Sequence, residues 1–411
     1  MEFRGRLGAL RHPAYFRYWS GSFASVGATQ LQIMAQGWLL YQITGSAVQL
    51  GYLGAAASIP AILMTLFGGA LADRLNRKRV LMTTSSLVAS LMLMLAWLDG
   101  SQLVEGWHII LIAGLVSFIS GFDWPTRQAI FPTLIDKEDM MSAVALNSII
   151  WQSSRMVMPA LGGVVIAVAD TWVVFTLCGM GFLTMFCVVA TLPIHGKPTP
   201  NPGSALQQIA EGMRFIFNQR LFTVFISLSY TGMFFGMAHM QLMPAFATLL
   251  ESSEQGYGLL ISATGVGSVI GTVLVGYFQA SQRIGWFILA TSALSGISIY
   301  LFALVTGFFP VGITTYVIAI GALMMGSLMS SMFMIASMTI LQLKVPDHLR
   351  GRVMGFHGIT YSLMPLGGLF AGWIASLTSA PIAIFVAVTL YLAIIAVIAV
   401  TQQEIRELAA N

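Results

Sequence analysis

The sequence predicts an all-α membrane protein of twelve transmembrane helices in two six-helix bundles. Three observations carry this. The 411 residues are 57% hydrophobic and 8% charged, with a mean hydropathy of +0.83. A soluble domain carries about 25% charged residues, so a water-facing surface is nearly absent. Apolar runs of the ~20 residues needed to cross ~30 Å of hydrocarbon as a helix recur along the whole chain. Of the 19 Lys and Arg residues, all but Arg155 read as lying in alternate loops between those runs. A barrel is excluded, because barrel strands alternate and run only ~9–11 residues.

In chain order the predicted spans are 16–42, 47–71, 79–98, 107–124, 141–169, 171–192, 221–250, 256–279, 284–306, 311–341, 352–377 and 380–401. Arg4, Arg6, Arg11 and Arg17 flank the first, and Arg74, Arg77, Lys78 and Arg79 separate the second from the third. Arg127 and Lys137 follow span 4; Lys197, Arg214 and Arg220 follow span 6; Arg283 follows span 8. Lys344, Arg350 and Arg352 follow span 10, and Arg406 follows span 12. The opposite loops carry only Asp99, Glu105, Asp170, Glu251 and Glu254. Positive flanks resist translocation, so both termini are predicted to be cytoplasmic. The net charge of +4 follows from this segregation and points to no nucleic-acid partner. The N-terminus shows no short apolar core with a small-residue cleavage site, so span 1 is expected to direct insertion.

Cys178 and Cys187 share span 6, nine residues and ~13 Å of helix apart, beyond the ~7 Å that a disulfide tolerates between Cα atoms. They are expected to be free, buried thiols. Residues 193–203 hold Pro193, Pro198, Pro200 and Pro202 and read as a linker. Ser204 to Gln207 resembles a capping box opening an amphipathic helix with Leu206, Ile209, Met213, Ile216 and Phe217 on one face, expected at the cytoplasmic interface. The predicted organisation is therefore 1–192, a linker over 193–220, and 221–411.

The two halves echo each other. Pro159-Ala-Leu-Gly162-Gly163 in span 5 parallels Pro365-Leu-Gly367-Gly368 in span 11, and Gly51-Tyr52 parallels Gly256-Tyr257, the glycines offset by 205. Six spans per half fits a parallel repeat, as in many transporters.

After span 2 the chain reads Gly69-Ala-Leu-Ala-Asp73-Arg74-Leu-Asn76-Arg77-Lys78-Arg79. A small residue at a helix end permits close approach, and a tight reversal needs a residue tolerant of positive φ. An acid in a loop otherwise rich in cations implies a fixed partner for Asp73. This segment resembles the signature of the major facilitator superfamily, departing only at Asn76, where the family has Gly. The second-half counterpart, Gly276 to Arg283, lacks the acid. The resemblance implies a cytoplasmic latch built from Gly69, Asp73, Arg74, Arg77, Asp123 and Arg352. Asp73 would face the N-terminus of span 11 near Gly351 and Arg352, where the helix dipole favours an anion, and Arg77 would pair with Asp123. Pro159, Gly162 and Gly163 look like the span 5 bend of the family's antiporters, with Met158 where those have Gly. Four further segments, His12-Pro-Ala-Tyr-Phe-Arg17, Phe122-Asp-Trp-Pro-Thr-Arg-Gln-Ala129, Ala145-Leu-Asn-Ser148 and Gly351-Arg-Val-Met-Gly355, resemble the branch of enterobactin exporters and macrolide or multidrug efflux proteins.

Few polar residues remain inside spans. Gln32 and Gln36 lie one turn apart in span 1, Gln152 and Arg155 share a face of span 5, and His239 and Gln241 lie in span 7. These six are the candidate substrate-binding residues, with Arg155 foremost: about fourteen residues into span 5, it stands ~21 Å from the cytoplasmic end. A guanidinium there is costly unless it meets water, a partner or a ligand. A packing role competes at each position, because an intramembrane Gln often only joins helices, and Arg155 could bond carbonyls freed by Pro159. His239, ~27 Å along span 7 by helical rise, could equally be interfacial. Methionines cluster in spans 7 and 10, where flexible thioethers suit either a re-packing pocket or an ordinary core. No phosphate loop, zinc motif or nucleophile elbow occurs, so neither an enzyme nor an ATP-driven pump is expected.

The resulting expectation is a secondary active transporter of a bacterial cytoplasmic membrane, working by alternating access and exporting an amphipathic siderophore or drug. Its partners are the cargo, protons and the lipid bilayer; a monomer without cofactor or metal is expected. No Asp or Glu reads as central in any span, so proton coupling rests on the resemblance. A facilitator or importer, or a receptor that keeps the fold without transport, are the alternatives.

Overall fold

A computed structural model describes residues 8–72, 76–193, 205–278, 283–347, 349–406 and 408. The described residues form helices and turns, without a strand. The long helices run α1 (Pro13–Thr44), α2 (Ala47–Ala72), α3 (Arg77–Gly100), α4 (Gly106–Ile130), α5 (Met140–Ala169) and α6 (Thr171–Thr191). After the linker come α7 (Ala205–Asn218), α8 (Arg220–Thr231), α9 (Met243–Leu249), α10 (Glu254–Val275), α11 (Ile284–Phe308) and α12 (Ile313–Lys344). Then follow α13 (Arg350–Gly358), α14 (Thr360–Leu377) and α15 (Ala380–Thr401).

Eleven of the described helical segments are long and apolar enough to cross a bilayer. Each coincides with one predicted span. The remaining prediction, 16–42, falls in the 32-residue α1, whose serines and glutamines make it less apolar. Helices dominate because lipid offers no partner to a backbone N–H or C=O, so each must be satisfied within its own segment. Prolines inside α2, α4, α5 and α14 do not interrupt them; neighbouring helices and local adjustment relieve the lost bond. Bulky apolar side chains such as Val168, Ile313 and Val400 stand exposed, as a lipid-facing surface requires. Trp97, Trp107 and Trp172 are exposed near the helix ends predicted to be extracytoplasmic, the depth at which amphipathic indoles favour the interface.

The chain divides into two compact units, 1–43 with 60–202, and 44–59 with 203–411. Helix α2 changes unit beside Pro60. In the first unit, Tyr15, Leu81, Ile130, Ala143 and Met185 belong to one buried cluster. In the second, Phe222, Phe225, Phe333, Ile340 and Tyr391 do.

Helix ends are set by local chemistry. Asn76 is not in a positive-φ turn as the loop comparison implied: its φ is −70°, and its side chain accepts from the Arg79 N–H as the cap of α3. Asn is a strong N-cap residue, which accounts for it here without a glycine-like turn. Lys78 donates to the carbonyls of Ala190 and Leu192 at 2.9 and 2.8 Å, placing a cation on the unsatisfied end of α6. The segment read as a linker contains the helix α7. Gly212 lets α7 approach Arg352 and Phe356, Ile216 is buried, and Met213 and Phe217 remain exposed. Ser204, proposed to cap it, lies outside the described residues. Both cysteines are free; Cys178 is buried and donates to the Ala28 carbonyl, whereas Cys187 is exposed, contrary to expectation.

Candidate functional site

In the first unit, α1 and α5 pack side by side in the same direction. A methyl group placed on Gly27 would stand 3.2 Å from Met158, and one on Gly162 would stand 2.9 Å from Leu31 and 3.0 Å from Met34. Helix α5 runs uninterrupted through Pro159, with Pro159, Gly162 and Gly163 buried. The stretch is not a break in the helix; the small residues bring α1 close. This register sets Gln32 near the level of Gly162. Arg155, half-buried and held by interactions of its own, lies seven residues or ~10 Å nearer the N-terminal end of α5. Gln152 is likewise half-buried and engaged. Gln32 and Gln36 are buried and bond each other at 3.3 Å, leaving Gln32 Oε1 and Gln36 Nε2 without a hydrogen-bond partner among the described residues. The candidate residues of this unit therefore occupy two levels, Arg155 with Gln152 and, farther out, the glutamine pair.

At the Arg155 level stands a polar cluster assembled from three helices. Helix α4 continues past Pro125 to Ile130, so Arg127 is not in a loop but one turn beyond Asp123 inside the helix, 8% exposed. The Arg127 Nε donates to Asp123 Oδ2, and its Nη1 donates to Ser25 of α1 at 3.0 Å. The Thr84 hydroxyl of α3 donates to Asp123 Oδ1 at 3.0 Å. Tyr18 donates to the Arg127 carbonyl. Asp123 therefore does not pair with Arg77, as the family latch implied; Arg77 donates to the Ala129 carbonyl. The i,i+4 spacing on one helix face sets Arg127 beside the carboxylate. Trp124 and Trp151 meet edge to face, 5.3 Å between centroids. Tyr18, Ser22, Trp124, Arg127, Asn147 and Trp151 line a small recess of about 10 Å³, room for roughly one water. Arg155 lies one turn from Trp151 on the same stripe of α5.

The other latch residues are separate. Gly69 lies in α2, while Asp73 and Arg74 lie outside the described residues. Arg352 pairs with Glu211 of α7 at 2.6 Å.

In the second unit, span 7 is not one helix. A wider turn over Gly232–Gly236 and a tighter one over Ala238–Met240 separate α8 from α9, whose second residue is Pro244. Pro favours such a start because its missing N–H would be unpaired there, and π-type turns often mark functional sites. His239 sits in this irregular stretch, fully buried rather than interfacial; its Nδ1 is 3.2 Å from the Gly236 carbonyl, and its Nε2 has no partner among the described residues. Burial encloses it away from any cargo in this state. Gln241 donates to the Leu50 carbonyl at 2.9 Å, so its amide joins the first half of α2 to span 7. Gly54 allows the same approach, since a methyl group there would meet the Pro365 carbonyl at 2.2 Å. Sequence reasoning passed over His357, buried near the end of α13 with Nε2 unpartnered among the described residues; its only signal was a histidine within an apolar run. It also missed Arg127, whose signal was the i,i+4 acid-base spacing with Asp123. Among the described residues, no group of three His, Cys, Asp or Glu could hold a metal ion.

The sequence profile of a family described as transmembrane secretion effectors matches residues 4–411. The multidrug efflux pump Tap of Mycolicibacterium fortuitum is 26% identical over 390 residues, covering 92% of this chain and 93% of that one. The enterobactin exporter EntS of Salmonella typhimurium is 25% identical over 352 residues, 84% and 81% of the two chains. Among solved structures, the nucleoside transporter NupG superposes with a TM-score of 0.77 at 13% identity, over 95% of this chain and 100% of that one. That likeness speaks to the fold alone.

Proposed function

The chain belongs to the transmembrane secretion effector family of the major facilitator superfamily and is a multi-pass membrane transporter of small molecules, and from that premise we propose that it exports an amphipathic compound from a bacterial cell by proton antiport. The observation that carries this is likeness along most of the chain to two proteins that share export but differ in cargo, a multidrug pump and an enterobactin exporter. Transport proceeds by alternating access in the cytoplasmic membrane, with both termini inside, twelve spans and a monomer as the working unit. The charge segregation supports the orientation, because one set of loops carries no Lys or Arg.

Arg155 is the principal cargo contact in this reading. It is only half-buried within a span that otherwise holds no charge, and a guanidinium at such depth is retained where it meets a polar partner or ligand. Its planar fork suits a carboxylate, catecholate or other electron-rich group. The residue Gln152 shares its level; Gln32 and Gln36 supply polar atoms for a different part of the cargo.

The test is accumulation of a panel of anionic, neutral and cationic amphipathic compounds in efflux-deficient cells expressing the chain, with and without a protonophore. Export lowers accumulation of at least one compound, and the protonophore restores it. Unchanged accumulation across the panel rejects export. Lowered accumulation that ignores the protonophore rejects proton drive.

A further inference from the structure

We propose that His239 is the proton-carrying residue of this transporter: its Nε2 takes the proton, and the form of span 7 that holds the proton is not the packed form seen here. The proposal rests on the reading above that transport is proton-driven, and it names the chain's own residue for that step.

Composition narrows the choice. No Asp, Glu, Lys or Arg occurs in residues 44–59, 221–250, 255–282, 284–343 or 353–403, which make up nearly all of the second unit's spans. The side chains there whose ordinary titration falls between about pH 5 and 8 are histidines, His239 and His357. His357 stands seven residues after Arg350, at one end of its span. His239 stands nineteen residues after Arg220 and ten before Leu249. It is set away from both ends, where a proton passed between the two sides of a membrane must be held.

The imidazole is built into the irregular turn. Its Nδ1 is 3.2 Å from the Gly236 carbonyl, and a carbonyl only accepts, so Nδ1 carries the hydrogen. In a regular α-turn that carbonyl would receive the Met240 N–H. Here the Met240 N–H pairs with the Met237 carbonyl at 3.1 Å, and the ring takes its place. With Nδ1 so committed, the neutral ring has its basic lone pair on Nε2, which is buried and has no partner among the described residues. Phe302 packs against the ring at 6.1 Å between centroids, with Phe246 beyond it, and neither offers a lone pair.

A proton on Nε2 therefore makes a buried N–H with nothing to receive it, and an unmade hydrogen bond of that kind is costly. To meet water or an acceptor the ring must leave Gly236, whose carbonyl is then open to the Met240 N–H of a regular turn. Gly232 and Gly236 bound the wider turn and leave its backbone free to change path. The titratable groups on the elements packed against this stretch are phenols: Tyr230 on its own span, Tyr257 of α10, Tyr300 of α11, Tyr361 of α14 and Tyr391 of α15. None of them is charged near neutral pH. Proton and packed turn thus exclude each other, which antiport needs. Cargo travels with the packed, neutral form and the proton with the released one. The proton comes onto Nε2 from water on one side and leaves it for water on the other.

The experiment uses the full chain in lipid vesicles, with histidine ring nitrogens and glycine carbonyl carbons labelled for solid-state NMR. In wild type the His239 ring should gain its second proton between about pH 8 and 5, and the Gly236 carbonyl signal should move with the same midpoint. In His239→Gln the Gly236 signal should no longer depend on pH, while His357→Gln should keep both changes. A His239 ring that stays neutral over that range overturns the assignment. A ring that titrates while Gly236 stays fixed overturns the link to span 7. Should His239→Gln fail to insert, replacing the other five histidines singly assigns the wild-type His239 signal by elimination, and the same two outcomes decide. Transport separates the proposal from the reading beneath it. Wild-type vesicles that move no panel compound under an imposed pH gradient reject proton drive, whereas gradient-driven transport retained by His239→Gln rejects His239 as the carrier.

Discussion

Replacing Gly162 tests the close approach of α1 and α5 and its part in transport. In Gly162→Ala the new methyl group would stand 2.9 Å from Leu31 Cδ2 and 3.0 Å from Met34 Sδ, against ~3.5–4.0 Å for comfortable carbon contact. Both neighbours are side-chain ends, and the Met34 thioether in particular can turn aside, so Ala should cost about 1 kcal/mol or less. Gly162→Leu adds three more carbons at a buried position, and over-packing of that kind costs about 1–3 kcal/mol. If the transport cycle includes a state with α1 and α5 this close, the population of that state falls by the same free energy, about 5–150-fold. Vesicle transport and surface labelling should show Gly162→Ala near wild type and Gly162→Leu inserted but slow. Shortening the obstructing side chain gives the sharper check: Gly162→Leu with Leu31→Ala should recover transport, because contacting residues couple by about 0.5–3 kcal/mol. Full activity in Gly162→Leu, or no recovery in the double variant, would show that this contact does not govern transport.

Other outcomes follow from the same geometry. Arg155→Lys, which keeps the charge without the fork, should retain partial export of anionic compounds, while Arg155→Ala should lose it for anionic more than neutral ones; an equal loss for both classes removes Arg155 from cargo recognition. Gln241→Leu deletes the bond to the Leu50 carbonyl, worth about 1 kcal/mol, and should speed amide exchange over residues 44–59; unchanged exchange there shows that the bond holds nothing in place. Cys187 should react with a membrane-permeable maleimide while Cys178, buried against the Ala28 carbonyl, stays unmodified in the folded protein, giving one label per chain by mass.

The helices themselves were legible in the sequence for a physical reason. A backbone in hydrocarbon must satisfy its polar groups locally, so a long apolar run already specifies a spanning helix whatever surrounds it. Length, apolarity and the loop cations are properties of short segments, and α2 to α6, α10 to α12 and α15 appear where those properties put them. The amphipathic α7 was equally local.

Side-chain partners were not legible in that way. In a bilayer both the lipid-facing and the inward-facing sides of a helix are apolar, so hydropathy does not say which face meets which neighbour. Asp123 was compatible with Arg77 by family resemblance and with Arg127 by spacing; only the continuation of α4 through Pro125 gives it to Arg127 and sets the pair against Ser25 and Thr84. His239 looked interfacial from helical rise, a rule that fails where span 7 is broken, and packing encloses it instead. Gln241 carried no mark of its bond to Leu50, nor did residues 44–59 of their place in the second unit. The sequence by itself determined that this chain crosses a membrane many times and which family it joins; the tertiary structure decided which buried charges and amides meet, because that choice is made between faces that are chemically alike along the chain and distinct only once packed.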